Sequence, residues 1–159
     1  MRFEADLPCD YSEDLWKMPP FDSDGKITKR VSHGLENSLY LYSNIAKRHA
    51  LETENNPSNF LVEGVRLVGS GARENKILSD LDLLLLCPRI DEPSANSIKK
   101  VMSFVLFCDR PKREAIDVYM RPHDKYEERG FVNITTQVEE IIIKYNAVLL
   151  DKYKSCDGF

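Results

Sequence analysis

Val65–Leu86, VRLVGSGARENKILSDLDLLLL, is the stretch whose reading decides the fold. Val65-Arg66-Leu67-Val68 is a short apolar run that ends at a glycine, which predicts a buried strand over about residues 65–69. Gly69-Ser70-Gly71 interrupts it, and Ala72 to Lys76 is long enough for one helical turn. Asp80-Leu81-Asp82-Leu83-Leu84-Leu85-Leu86 then predicts a second strand, over 80–86, stopped by Pro88. Side chains alternate along a strand that rises about 3.3 Å per residue, so Asp80 and Asp82 should share a face with α-carbons roughly 6.5 Å apart.

Outward from this stretch, Val31, Leu35, Leu39, Tyr42, Ile45 and Ala46 recur at intervals of three and four, which predicts a helix over 28–51. The segment TENNPSN (53–59) is turn chemistry. Ile98, Val101, Met102, Val105 and Leu106 form the apolar stripe of a second helix over 94–107, with Ser94 as its N-cap. Residues 113–120, REAIDVYM, alternate and are rich in β-branched and aromatic side chains, which predicts a third strand. Val138, Ile141, Ile142, Tyr145 and Leu149 define a last helix. The order helix, strand, turn, strand, helix, strand, helix is that of an α/β (α+β) domain: one small mixed β-sheet with helices 28–51 and 94–107 packed on it.

Residues 1–27 differ from the rest. They contain Pro19-Pro20 and no hydrophobic period, and read as an extended N-terminal arm packed at most through Leu15, Trp16 and Phe21, ahead of a single domain over 28–159. The arm holds Arg2, Lys17 and Lys26 against seven acids, which accounts for the whole net charge of -4, since basic and acidic residues balance beyond it. A balanced body lacks the broad positive footprint of sequence-independent nucleic-acid binding, so long polynucleotide substrates are disfavoured. No apolar run approaches the roughly 20 residues that cross a bilayer, and the acidic N-terminus is unlike a signal peptide, so a soluble cytoplasmic protein is expected. Cys9, Cys87, Cys108 and Cys156 form no C-x-x-C pair, and His33, His49 and His123 have no zinc-ligand spacing, so both sets read as packing or surface residues, the thiols reduced.

The chemistry concentrates where the first two strands meet. Two carboxylates side by side at the mouth of a leucine-rich strand repel each other unless a counter-charge is present. A hard divalent cation such as Mg²⁺ supplies it, taking oxygen ligands from one or two carboxylates and from substrate phosphates. Asp117 shares a face of the third strand with Ala115 and Tyr119, with Ile116, Val118 and Met120 facing the other way. If strands two and three are neighbours, Asp117 can complete a three-carboxylate site for in-line phosphoryl or nucleotidyl transfer. Gly69, Ser70 and Gly71 allow backbone amides to approach an anion, and Arg73 and Lys76 follow closely enough to neutralise phosphates. Neither G-x-G-x-x-G nor G-x-x-x-x-G-K-[ST] occurs, which sets dinucleotide and P-loop sites aside.

The string Leu67-Val68-Gly69-Ser70, the spacer 71–79 and Asp80-Leu81-Asp82, followed by Asp117, resembles the nucleotidyltransferase superfamily of DNA polymerase β. Gly69-Ser70-Gly71-Ala72-Arg73 is most similar to the minimal nucleotidyltransferases of prokaryotes. The resemblance covers about residues 60–121. It implies a polymerase β palm-like fold and Mg²⁺-dependent (or Mn²⁺-dependent) transfer of a nucleoside monophosphate from an NTP, ATP being the expected donor, to a hydroxyl with release of pyrophosphate. It further implies that Asp80, Asp82 and Asp117 are the catalytic metal ligands, and that Gly69, Ser70, Gly71, Arg73 and Lys76 form the nucleotide side of the site. The short chain favours a protein or small-molecule acceptor over an RNA end. Minimal members often pair with a helical HEPN protein, and the alternative within the resemblance is a weak or inactive module that neutralises such a partner by contact. Glu74 stands where minimal members usually have glycine, and an acid facing the loop would repel a triphosphate.

Overall fold

The structure is a computed structural model that describes residues 7–9, 13–78, 81–107, 116–121 and 132–151, with the backbone alone for 13, 71, 103–107 and 116–121. Its elements are α1 (Glu13–Trp16), α2 (Lys29–Glu52), a 3₁₀ turn (Pro57–Phe60), β1 (Gly64–Val68), α3 (Gly69–Glu74), β2 (Leu81–Leu86), α4 (Glu92–Phe107), β3 (Ile116–Arg121), β4 (Val132–Asn133) and α5 (Thr135–Leu150). The architecture is α+β. One four-stranded sheet has the order β3-β2-β1-β4, with β1 antiparallel to both neighbours and β2 parallel to β3. The parallel pair needs a crossover, and α4 supplies it.

Alternation along β1 and β2 separates two faces. Val65, Leu67, Leu81, Leu83 and Leu85 enter the main core with Val31, Leu35, Leu39, Tyr42, Ile45 and Ala46 of α2. Val68, Leu84 and Leu86 form a separate buried cluster, and Asp82 has their parity on β2. The helices pack as layers around α2. Along α5, Val138, Ile142, Tyr145 and Leu149 are buried. Asn146 also clips that helix to the chain before β1, accepting from the Val62 amide (3.0 Å) and donating to its carbonyl (2.9 Å).

Several expectations need correction. Ser94 does not cap α4; the helix begins two residues earlier, and Asp91 Oδ2 accepts from the Ser94 amide at 3.0 Å. Pro93 is tolerated there because first-turn amides need no helical acceptor. Val101, placed on the apolar stripe, is 43% exposed. The strand read at 65–69 runs one residue earlier, because Gly69 already begins α3. Of the strands read at 80–86 and 113–120, Asp80 and residues 113–115 lie outside the described residues. The arm carries one helical turn, α1, and Leu15 and Trp16 are buried.

The amphipathic reading of α2 was also too narrow. Arg30, Asn37 and Lys47 are buried on it as well, each bonded to backbone: Arg30 to Met18 and Lys76, Asn37 to both backbone groups of Cys9, and Lys47 to the Asp151 carbonyl. Such pairing is what makes buried polar side chains tolerable. Cys87 is buried with its thiol against the Tyr42 hydroxyl (3.4 Å), and burial pushes it up to about 12, as suits a reduced packing cysteine. Cys9 is also a free thiol. Cys108, Cys156 and His123 lie outside the described residues.

Candidate functional site

Val68 and Asp82 are register partners across β1 and β2, and the chain turns at the next residue. Gly69 has φ +85°, in the left-handed region that glycine alone enters without strain. The turn folds back against the strand it has just left. A side chain at Gly69 would run into Asp82 Oδ2, with Asp82 Cγ at 3.2 Å. The Gly-Ser turn and the acidic strand, read from the sequence as two motifs, are therefore one packed unit.

On the other side of β2, the parallel register sets Asp82 opposite Asp117. The same register pairs Leu81 with Ile116, Leu83 with Val118 and Leu85 with Met120. Register partners occupy one face of a sheet, so the two aspartates fall on the face opposite Leu81, Leu83 and Leu85. Asp82 is half-buried and Asp80 lies outside the described residues. Among the described residues no three His, Cys, Asp or Glu side chains gather as a metal centre.

The nucleotide-side candidates follow on α3 and the loop after it. Ser70 and Arg73 are exposed, Arg73 in the last turn, and Gly71 lies between them. Glu74 ends the helix, and its Oε2 is 3.9 Å from Lys76 Nζ, both side chains being 59% exposed. A pair this exposed contributes little to stability. Its direction matters more, because Glu74 reaches along the surface to Lys76.

Three residues that shape this region carried no functional reading in the sequence. Asn75 takes the left-handed conformation (φ 50°) just past the end of α3. Its side chain accepts from the Phe21 amide (2.8 Å) and donates to the Phe21 carbonyl (3.0 Å). Asparagine after a helix is a recognised signal for that conformation, and it could have been used. Trp16 accepts from the Leu78 amide through its carbonyl (3.2 Å). Arg30 donates to the Lys76 carbonyl (3.1 Å), and no local pattern marks a charged helix residue as buried.

Arg66 is a strand residue bonded to Asn133 Oδ1 at 2.8 Å, where β1 pairs with β4. A groove of about 330 Å³ lies between α2 and α4, lined in part by Arg48, His49, Glu52 and Ser97. Arg48 and Glu52 pair with each other along α2 (3.0 Å). His49 Nε2 shares a hydrogen bond with Ser94 Oγ (2.9 Å), and hydrogen bonds from the Ser94 side chain and amide hold Asp91 below its usual range. Compared with protein-family models, curated proteins and solved structures, the chain matches none.

Proposed function

We propose that this chain is a Mg²⁺-dependent nucleotidyltransferase of the polymerase β type. It moves a nucleoside monophosphate from an NTP, with ATP the expected donor, to a hydroxyl of a protein or small-molecule acceptor. The observation that carries this reading is the position of Asp82, packed against the glycine of a Gly-Ser turn on one side and in register with a second aspartate on the other. An ordinary turn or a stray surface acid has no reason to combine these features.

The donor set suits a hard cation. Asp82 and Asp117 offer carboxylate oxygens, and Asp80 precedes Asp82 by one strand period in the sequence. A bound Mg²⁺ or Mn²⁺ would neutralise these carboxylates and the phosphate oxygens as charge shifts during transfer. The rest falls to the chain. Gly69, lacking a β-carbon, lets the turn lie close to Asp82 and to the phosphates together. Ser70 offers a hydroxyl donor, and Arg73 and Lys76 offer positive charge from the exposed side of α3 and its loop. In the reaction a bond forms between the acceptor oxygen and the α-phosphorus, the bond to the β-phosphate oxygen breaks, and pyrophosphate and the hydroxyl proton are released.

The Glu74 carboxylate reaches toward Lys76 at the exposed end of α3, and an ion pair this long and exposed is weak enough for a phosphate to displace it from Lys76. A cytoplasmic location belongs to the same proposal; among the described residues no helix is long and apolar enough to cross a membrane. The test is incubation of the full chain with each of four labelled NTPs and Mg²⁺ or Mn²⁺, with and without co-purified protein. Label transferred by the wild type and lost in Asp82→Asn is the expected result. No labelled product and no metal-dependent NTP binding would overturn it.

A further inference from the structure

Arg30, in the first turn of α2, is fully buried. Its Nη1 donates to the Met18 carbonyl (3.2 Å) and the Lys76 carbonyl (3.1 Å), and its guanidinium lies over the Trp16 ring at 5.2 Å from the centroid. A buried cation is costly unless its surroundings repay the lost hydration. Here the compensation comes from two stretches of backbone and an aromatic face that are remote in sequence. One stretch is the N-terminal arm. The other is the loop that joins α3 to β2.

That loop is unusual in its own right. Asn75 and Leu78 both have positive φ, 50° and 55°, and a bulky leucine in this conformation is strained. Strain of this kind persists only where the surroundings hold it, and it concentrates at functional sites. The arm and α2 do the holding: Asn75 is bonded to both backbone groups of Phe21 and the Leu78 amide to the Trp16 carbonyl, both in the arm, and the Lys76 carbonyl to Arg30 of α2. The loop is the covalent link between Ser70 and Arg73 on α3 and Asp82 on β2.

We propose that Arg30 is a positioning residue: through the Lys76 carbonyl and the Trp16 ring it locks the 75–78 loop, and so sets where β2 and Asp82 stand relative to α3. The arm is then a structural part of the site. As a role in transfer this rests on the nucleotidyltransferase reading; as control of the loop it does not. Lysine at position 30 keeps a positive donor but lacks the flat guanidinium face that stacks on Trp16.

The test uses the full chain with Arg30→Met, Arg30→Lys and Asn75→Ala, the last keeping the loop testable should Arg30→Met fail to fold. Amide hydrogen exchange at residues 78–83 is compared with exchange in α5 around Ile142. Arg30→Met should speed exchange at 78–83 at least tenfold with α5 unchanged, Arg30→Lys should speed it less, and Asn75→Ala should loosen the same segment. In the transfer assay kcat should fall about tenfold and the Mg²⁺ requirement rise, while the KM for NTP moves less than threefold, because Ser70 and Arg73 stay on α3 and only Lys76 of the phosphate-side residues lies on the loop. Uniform loosening of the whole chain, or unchanged exchange at 78–83, would overturn the proposal by making Arg30 a general stabiliser. Wild type without transfer or metal-dependent NTP binding would remove the nucleotidyltransferase reading, and the exchange pattern would still decide whether Arg30 governs the loop.

Discussion

Asp82 on β2 and Asp117 on β3 are register partners in a parallel strand pair, with the α4 crossover between them in the chain. A shift of one residue in that register would send the two carboxylates to opposite faces of the sheet. Mg²⁺ with NTP should raise the Tm of the wild type, since a ligand held only by the native state stabilises it, and Asp82→Asn should leave the fold intact and abolish that rise. Transfer should fall by roughly a hundredfold or more, as expected when a group stabilising transition-state charge is removed. Differential scanning fluorimetry and a labelled-NTP assay check both.

Gly69 and Gly25 both have positive φ, +85° and +76°, but a β-carbon at Gly25 meets nothing within 4 Å while one at Gly69 meets the Asp82 carboxylate. Gly25→Ala should cost about 1 kcal/mol from backbone conformation alone. Gly69→Ala should cost about 2 kcal/mol or more, a fall in Tm of roughly 4–8 °C, and should also weaken the metal and NTP response by displacing Asp82. Thermal melts of the two variants with and without Mg²⁺ and NTP separate the two effects.

Glu74 and Arg73 are neighbours in sequence with opposite expectations. Glu74 reaches to Lys76 at 3.9 Å in an exposed, weak pair, so Glu74→Gly should raise NTP affinity by no more than about twofold by calorimetry. Arg73→Ala should weaken it about tenfold, the usual scale for losing one charged hydrogen bond. A marked gain in affinity for Glu74→Gly would instead place that carboxylate in the phosphate site.

Stability should also depend on pH through Glu36, which joins α2 to α5. Its carboxylate accepts from Lys144 Nζ (2.8 Å), the Tyr145 hydroxyl (3.1 Å) and the Cys9 thiol (3.3 Å), and the Lys144 bond leads in holding it below its ordinary value of 4.5. A carboxyl whose pKa is lowered by folding contributes its full stabilisation above the unfolded value and loses it as pH falls through the folded one. The wild type should therefore be more stable than Glu36→Gln at pH 6–8, by about 1 kcal/mol or less because Lys144 is exposed, and the gap should narrow progressively as pH falls below 4.5. Paired melts across this range read it directly.

The sequence alone determined what depends on near neighbours along the chain. The apolar spacing from Val31 to Ala46 and from Val138 to Leu149 marks helical faces, and the leucine run after Asp82 marks a buried strand. Residues three or four apart in a helix, or two apart in a strand, meet whatever the rest of the chain does. For the same reason Gly69-Ser70 and Asp80-Leu81-Asp82 were legible as motifs. Tertiary structure alone decided how the motifs meet: that Asp82 lies against Gly69, that Asp117 falls opposite Asp82, and that the short β4 pairs with β1. It also decided that Arg30 and Lys47 go inside, because their partners are the backbone carbonyls of Lys76 and Asp151. Every residue has such a carbonyl, so it leaves no mark in the sequence, and only the folded chain shows which of them a buried cation will find.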